Sequence, residues 1–316
     1  MSIKKTVVIA LGGNAISPKG ELGTIEEQFY HTRESLKQIM YFVRENYNIC
    51  ITHGNGPQVG DELRRNEIAA DTIPPLPLGV LVANTQGAMG YMIQQSLQNS
   101  LYTEHSDREV VSFISQMKID RNDDALNKPS KFIGKIYDKK TAHELAEKYH
   151  WNIAEQEENV WRRVVPSPKP LYIFNGKSIK HLVDFGTIVI AGGGGGIPAY
   201  NLDDGQLKGL NGVIDKDMTA ALLGRIIKAK QLFIITDVDN IYLNFKTNAQ
   251  EVINETNANN IKTWLEEGHF WRGTMEPKIR AALYFLKYHG EEVVITSIKN
   301  VEKAIMKKAG TRITKN

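Results

Sequence analysis

The residues of this chain best suited to chemistry are glycines and lysines. Three glycine-rich turns each follow an apolar run: Gly12-Gly13-Asn14 after residues 6–11, Gly54-Asn55-Gly56-Pro57 after residues 48–52, and Gly192 to Gly196 after residues 187–191. A turn that ends a strand and opens a helix presents free backbone N–H groups, and such groups bind anions. Pro57 suits the first position of a helix, which places a helix N-terminus at the second turn. Strand-to-helix turns also favour Gly and Asn for purely steric reasons, so one such turn proves little; three together point to an anionic ligand. Lys131, Lys216 and Lys278 are candidate cations for that ligand, in the surroundings Pro129-Ser130-Lys131-Phe132, Asp215-Lys216-Asp217 and Met275-Glu276-Pro277-Lys278. Most lysines are solvated surface charges, and Asp215-Lys216-Asp217 equally suits the first turn of a helix whose dipole favours carboxylates.

Two familiar nucleotide signatures are absent or incomplete. Gly176-Lys177-Ser178 ends like a phosphate-binding P-loop, but Leu171 stands where the first glycine of that loop belongs. Gly54, Gly56 and Gly60 approximate a dinucleotide fingerprint. The helix after them runs into Pro74-Pro75-Leu76-Pro77 rather than into a second strand with a ribose-binding carboxylate. An NAD(P)-dependent oxidoreductase is therefore the alternative from a different class, and a nucleotide-binding regulator without chemistry is a third.

The elements that must position these residues alternate along the chain. Strand-like runs at 6–11, 48–52, 109–115, 187–191, 231–236 and 292–296 are separated by helical patterns at 24–45, 57–69, 81–98, 216–228 and 276–288. Continuously apolar strands alternating with helices indicate an α/β fold, a mostly parallel open sheet covered on both faces. The polar stretch 118–163, with a weak helical pattern only at 141–149, reads as a small inserted subdomain or flap.

At 316 residues the chain is long enough for one large domain or two joined lobes. Lys and Arg total 39 against 36 Asp and Glu, a balance that argues against a nucleic-acid footprint. The single cysteine, Cys50, lies in an apolar run and suits core packing in a reducing compartment. No apolar run approaches the roughly 20 residues of a membrane span, so a cytoplasmic protein without a membrane partner is expected.

Ala10 to Ala15, Thr52 to Gly60 (THGNGPQVG), Trp161 to Pro170 (WRRVVPSPKP), Gly192 to Ile197, Val213 to Asp217 (VIDKD), Thr236 to Tyr242 (TDVDNIY) and Gly273 to Lys278 together resemble, in order, the carbamate kinases of the amino acid kinase family. The resemblance implies a three-layer sandwich, with an acceptor lobe over 1–212, including the flap at about 118–163, and a nucleotide lobe over 213–316. It implies that Lys131, Lys216 and Lys278 stabilise the transferring phosphoryl group while Asp217 orients lysines. By the same resemblance Gly12, Gly13, Asn14, Gly54, Asn55, Gly194 and Gly195 cradle acceptor and γ-phosphate, and Thr236, Asp237, Val238, Tyr242, Met275 and Pro277 form the nucleotide pocket. ATP or ADP, carbamate or carbamoyl phosphate, and Mg²⁺ bound mainly through phosphates are the implied ligands. A homodimer and a role in arginine breakdown are implied as well.

Overall fold

A computed structural model describes residues 4–13, 16–18, 20–271 and 273–316. The chain opens with β1 (Thr6–Leu11), α1 (Ile25–Arg44), β2 (Asn48–His53), α2 (Gly56–Ala69) and α3 (Leu78–Thr103). Thr24 and Glu27 form a reciprocal capping box that fixes the start of α1. Short strands β3 (Val110–Ser112) and β4 (Gln116–Lys118) follow, and then β5 (Lys131–Tyr137), α4 (Lys139–Tyr149), β6 (Asn152–Glu157) and β7 (Val160–Val165). The middle of the chain holds β8 (Tyr172–Ile173), α5 (Gly176–Phe185), β9 (Ile188–Ile190), β10 (Ile197–Asn201), β11 (Leu207–Gly209) and α6 (Lys216–Ile227). The last part adds β12 (Gln231–Thr236), β13 (Ile241–Leu243), β14 (Glu251–Ile253), β15 (Glu255–Asn257), α7 (Ala258–Glu266), α8 (Met275–Lys287), β16 (Glu292–Ser297), α9 (Val301–Ile305) and β17 (Thr311–Thr314).

The main sheet runs β15-β17-β16-β12-β1-β2-β9-β3. Its pairings are parallel except β16 with β17, which are antiparallel. Alternation along β1 divides the core: Val7, Ile9 and Leu11 pack with Leu36, Ile39 and Phe42 of α1 and Met89, Ile93 and Leu97 of α3. Val8 and Ala10 face Ala220, Leu223 and Ile227 of α6 and Ile279, Ala282 and Phe285 of α8 on the other side. The expected three-layer sandwich is therefore present, because strands buried on both faces need helices over each.

The inserted region is more ordered than its polarity suggests. Beside the expected helix, β5, β7 and β6 form an antiparallel sheet that the sequence pattern did not reveal. Its residues are mostly only part-buried, so the period-two apolar alternation that advertises a strand is missing. Ile133 and Val165 join Val59, Leu63, Leu78, Leu81 and Val82 in a small separate core, which seats the flap on α2 and α3. Leu81, Met89, Ile93 and Leu97 of α3 are core, whereas Val80 and Tyr91 are exposed. No helix among the described residues is long and apolar enough to cross a membrane.

Cys50 is fully buried in β2, and burial pushes its thiol up to about 12. A thiol reagent such as Ellman's should leave the native protein unmodified and titrate one thiol in guanidinium chloride. Native-state modification at the rate of an exposed thiol would show that β2 is not the central strand described.

Candidate active site

The strand order determines what meets at the carboxyl edge of the sheet. In the sequence β16-β12-β1-β2-β9, the residues at or just past each strand's carboxyl end are Ser297, Thr236 to Val238, Gly12 and Gly13, Gly54 and Asn55, and Gly192 to Gly196. Ligands of open parallel sheets bind along this edge. Here the edge borders a cavity of about 830 Å³, lined by Gly12, Gly13, Gly54, Asn55 and Gly194 of the glycine turns and by Thr236, Asp237, Val238, Tyr242 and Met275 from the later part of the chain.

The glycine turns close against one another. A Cβ on Gly54 would stand 2.9 Å from the Gly13 nitrogen, and one on Gly13 would stand 3.2 Å from Cδ of Pro57. Gly192, Gly194, Gly195 and Gly196 all have positive φ, and Gly194 and Gly195 face the Asn55 side chain and the Ile214 carbonyl at distances no Cβ could tolerate. Buried hydroxyls hold this run in place. Thr52 Oγ1 donates to the Gly192 carbonyl (2.9 Å), Ser115 Oγ accepts from the Gly192 N–H (2.9 Å), and Thr219 Oγ1 donates to the Gly195 carbonyl (2.8 Å). Asn55 spends its amide on Thr85 Oγ1 at 2.9 Å and makes no cap bond to α2. The first N–H groups of α2 thus keep no side-chain partner from their N-cap.

The same cavity borders a buried cluster of charge. Asp217 is 2% exposed and accepts from Lys216 Nζ at 2.5 Å on one oxygen and from Lys278 Nζ at 2.9 Å on the other. Burial alone would raise the Asp217 carboxyl, but the two ammonium groups override it and hold the acid below the ordinary carboxylate range. Burial lowers Lys216 despite its pairing with Asp217, and Lys278 adds to the fall. Lys278 is also opposed by burial, yet Asp217, Asp215 and Asp237 outweigh that and raise it. The cluster therefore carries net positive charge toward the cavity. Lys131, the first residue of β5, reaches the same cavity from the flap.

His53 lies directly beneath the glycine turns. It is 1% exposed, and Nδ1 sits 3.1 Å from the Gly54 carbonyl, which fixes that nitrogen as the donor of the neutral ring. Burial first, and the nearby Lys216 charge second, lower this imidazole to about 4.

The structure brings together Gly12, Gly13, Gly54, Asn55, Gly194, Lys131, Lys216, Asp217, Lys278, Thr236, Asp237, Val238, Tyr242 and Met275 around one cavity. Asn14 lies outside the described residues. Gly195 and Pro277 do not line the cavity: Gly195 is buried under its wall, and Pro277 sits in the first turn of α8 between Met275 and Lys278. Gly60 and the Gly176-Lys177-Ser178 turn do not reach it either. Sequence reasoning named Tyr242 but missed the rest of the aromatic wall, where Phe245 stands 5.8 Å from Tyr242 and 5.9 Å from Trp271 between ring centroids. It also missed Asp215 as part of the lining, having read it as a helix-start charge.

This fold and site define the class. A model of the amino acid kinase family matches residues 5–297, and the chain belongs to that family. Carbamate kinases are among its relatives. Those of Pyrococcus furiosus and Staphylococcus epidermidis are each 40% identical, over 311 and 312 residues, covering 98% of this chain and 99% of theirs. The structure of the Giardia lamblia carbamate kinase bound to AMP-PNP superimposes with a TM-score of 0.92 at 36% identity, covering the whole of both chains.

Two stability measurements check the electrostatics. Asp217→Asn leaves Lys216 and Lys278 buried without their shared counter-charge and should cost about 3–5 kcal/mol in urea unfolding. A loss below about 1 kcal/mol would mean that the lysines relax into solvent. His53 has a depressed folded pKa, so protonation favours the unfolded chain. Its contribution is complete above the ordinary value of 6.5 and is lost as pH falls toward about 4. That loss amounts to roughly 3 kcal/mol by linkage, and His53→Gln should flatten the stability profile between those pH values. Parallel profiles for the two proteins would contradict the burial of a neutral ring.

Proposed function

We propose that the cavity transfers a phosphoryl group reversibly between ATP and carbamate, yielding carbamoyl phosphate and ADP. The observation that carries this reading is the convergence of Lys131, Lys216 and Lys278 between a glycine-turn cradle and an aromatic-walled pocket. A carbamate oxygen attacks the γ-phosphorus, the bond from phosphorus to the β,γ-bridging oxygen breaks, and ADP leaves. Carbamate is already an anion, so no general base is required; the barrier is repulsion between anions. Alignment and positive charge are then the whole of catalysis.

In this reading Gly12, Gly13, Gly54, Asn55 and Gly194 hold acceptor and γ-phosphate through backbone N–H groups. Lys216 and Lys278 neutralise the equatorial and leaving oxygens, and Asp217 keeps both ammonium groups aimed at them. Lys131 covers the phosphoryl group from the flap. Thr236 to Val238, Tyr242 and Met275 take the nucleoside, and Pro277 presets the turn that carries Lys278. Residues 1–212 serve the acceptor and residues 213–316 the nucleotide. Asp217 is committed to lysines and one oxygen of Asp215 to the start of α6, which suits Mg²⁺ arriving with the nucleotide and held mainly through its phosphates. Bound there, Mg²⁺ would neutralise phosphate charge.

The reading extends to a cytoplasmic homodimer that makes ATP from carbamoyl phosphate during arginine breakdown. The wholly buried thiol suits a reducing compartment, and exposed Ile68, Ile73, Leu76 and Val80 around the α2–α3 turn offer apolar surface for a second copy.

With ADP, carbamoyl phosphate and Mg²⁺, the protein should form ATP, and Lys216→Ala should lower kcat by about 10²–10³ while remaining folded. Absence of turnover by the parent protein would refute the assignment. A specific fluorescence change on titration with NADH would favour the oxidoreductase alternative instead.

A further inference from the structure

We infer that Asp215 is a positioning residue for Lys131, tying the flap to the helix that carries Lys216 and Asp217. The inference rests on the phosphoryl-transfer reading of the cavity. Asp215 uses its two oxygens for two different tasks. Oδ1 accepts from the N–H groups of Asp217 at 2.9 Å and Met218 at 3.2 Å, which caps α6. Oδ2 faces Lys131 Nζ at 3.6 Å.

The backbone around Asp215 is held from both sides. The Val213 N–H donates to the Pro166 carbonyl at 3.0 Å, so the chain leaving the flap pins the approach to α6. The Ile214 carbonyl stands 2.0 Å from where a Cβ of Gly195 would lie, so the glycine run abuts it as well. Asp215 is thus a fixed anchor, whereas Lys131 is a long side chain, 41% exposed, that would otherwise range through solvent. At 3.6 Å the pair is an ion contact without a short hydrogen bond. It keeps the amine over the cavity and leaves its N–H groups free for a phosphoryl oxygen. Part of the ordering cost of Lys131 is met before ligand arrives.

Asn at position 215 can still cap α6 but carries no charge, so Asp215→Asn separates the two tasks. The variant should melt within about 2 °C of the parent. It should lose roughly three- to fivefold in kcat for ATP formation. In a Lys131→Met background the same change should have no further effect. Independently of turnover, labelling of Lys131 by an amine-reactive ester, read by peptide mass spectrometry against exposed Lys140, should quicken about threefold in Asp215→Asn. Unchanged labelling of Lys131, or a full kcat loss from Asp215→Asn in the Lys131→Met background, would overturn the inference. An inactive parent would refute the phosphoryl-transfer reading, while the labelling comparison would still decide whether Asp215 holds Lys131.

Discussion

The arrangement turns on one buried carboxylate shared by two lysines. Lys216 opens α6 and Lys278 stands in α8, 61 residues beyond Asp217 in sequence, yet both ammonium groups meet Asp217. Without that carboxylate, two cations could not share a water-poor site beneath a cavity meant for anions. The sharing requires the starts of α6 and α8 to lie close, and the packing below provides for it. Gly224 of α6 leaves the space that Phe285 of α8 fills, since a Cβ at Gly224 would stand 2.4 Å from that ring. Ala220, Ala221, Ala281 and Ala282 are fully buried nearby, so small side chains let the helices approach. A packing decision among alanines and a glycine therefore sets the distance between the two lysine charges.

A second constraint acts on the opposite side of the cavity. On the function proposed above, an acceptor as small as carbamate offers few atoms, so backbone N–H groups must approach closely from several turns at once. Close approach explains glycine at Gly13, Gly54 and Gly194, where any side chain would collide with a neighbouring turn. The entropy lost in ordering so many glycines is offset by buried hydrogen bonds from Thr52, Ser115 and Thr219. His53 belongs to the same support: its ring lies where a Cβ of Gly193 would fall, and its donor nitrogen holds the Gly54 carbonyl. Burial holds its ring neutral beneath the turns, where it supports their backbone.

What the sequence reveals follows from how local each cause is. β1 and β12 match their expected bounds of 6–11 and 231–236, because buried parallel strands are unbroken apolar runs and the glycines that end them are visible. The lysines at 131, 216 and 278 stand out by the motifs around them, and the cavity collects all three. The flap sheet escapes notice because its strands are largely half-exposed, with buried Ile133 and Val165 packed against α2 and α3 rather than into a core of the insertion's own. Phe245 and Trp271 escape for another reason. Each is an unremarkable aromatic until the β13–β14 hairpin and the segment before α8 bring them within 5.9 Å. Asp215 was legible as a helix cap, and that reading is right for Oδ1; only the position of Lys131 reveals what faces Oδ2.

The order of strands gives these local features a direction. Reading β16-β12-β1-β2-β9 along the sheet, the ends pass from Ser297 and Thr236 to Val238, through Gly12 and Gly13, to Gly54 and Gly192 to Gly196. A nucleotide lying along this edge with its base at the aromatic wall must extend its phosphates toward the glycine turns. Lys216 stands beside the second turn, with Cδ 3.2 Å from where a Cβ of Gly54 would lie, and on the function proposed above its ammonium approaches the junction of donor and acceptor. In-line transfer requires attacking and leaving oxygens on opposite sides of phosphorus. A single row of turns, with charge at its middle, supplies that alignment from sheet topology itself. On the function proposed above, the crossover connections of a parallel sheet, more than any one side chain, determine where the phosphoryl group travels.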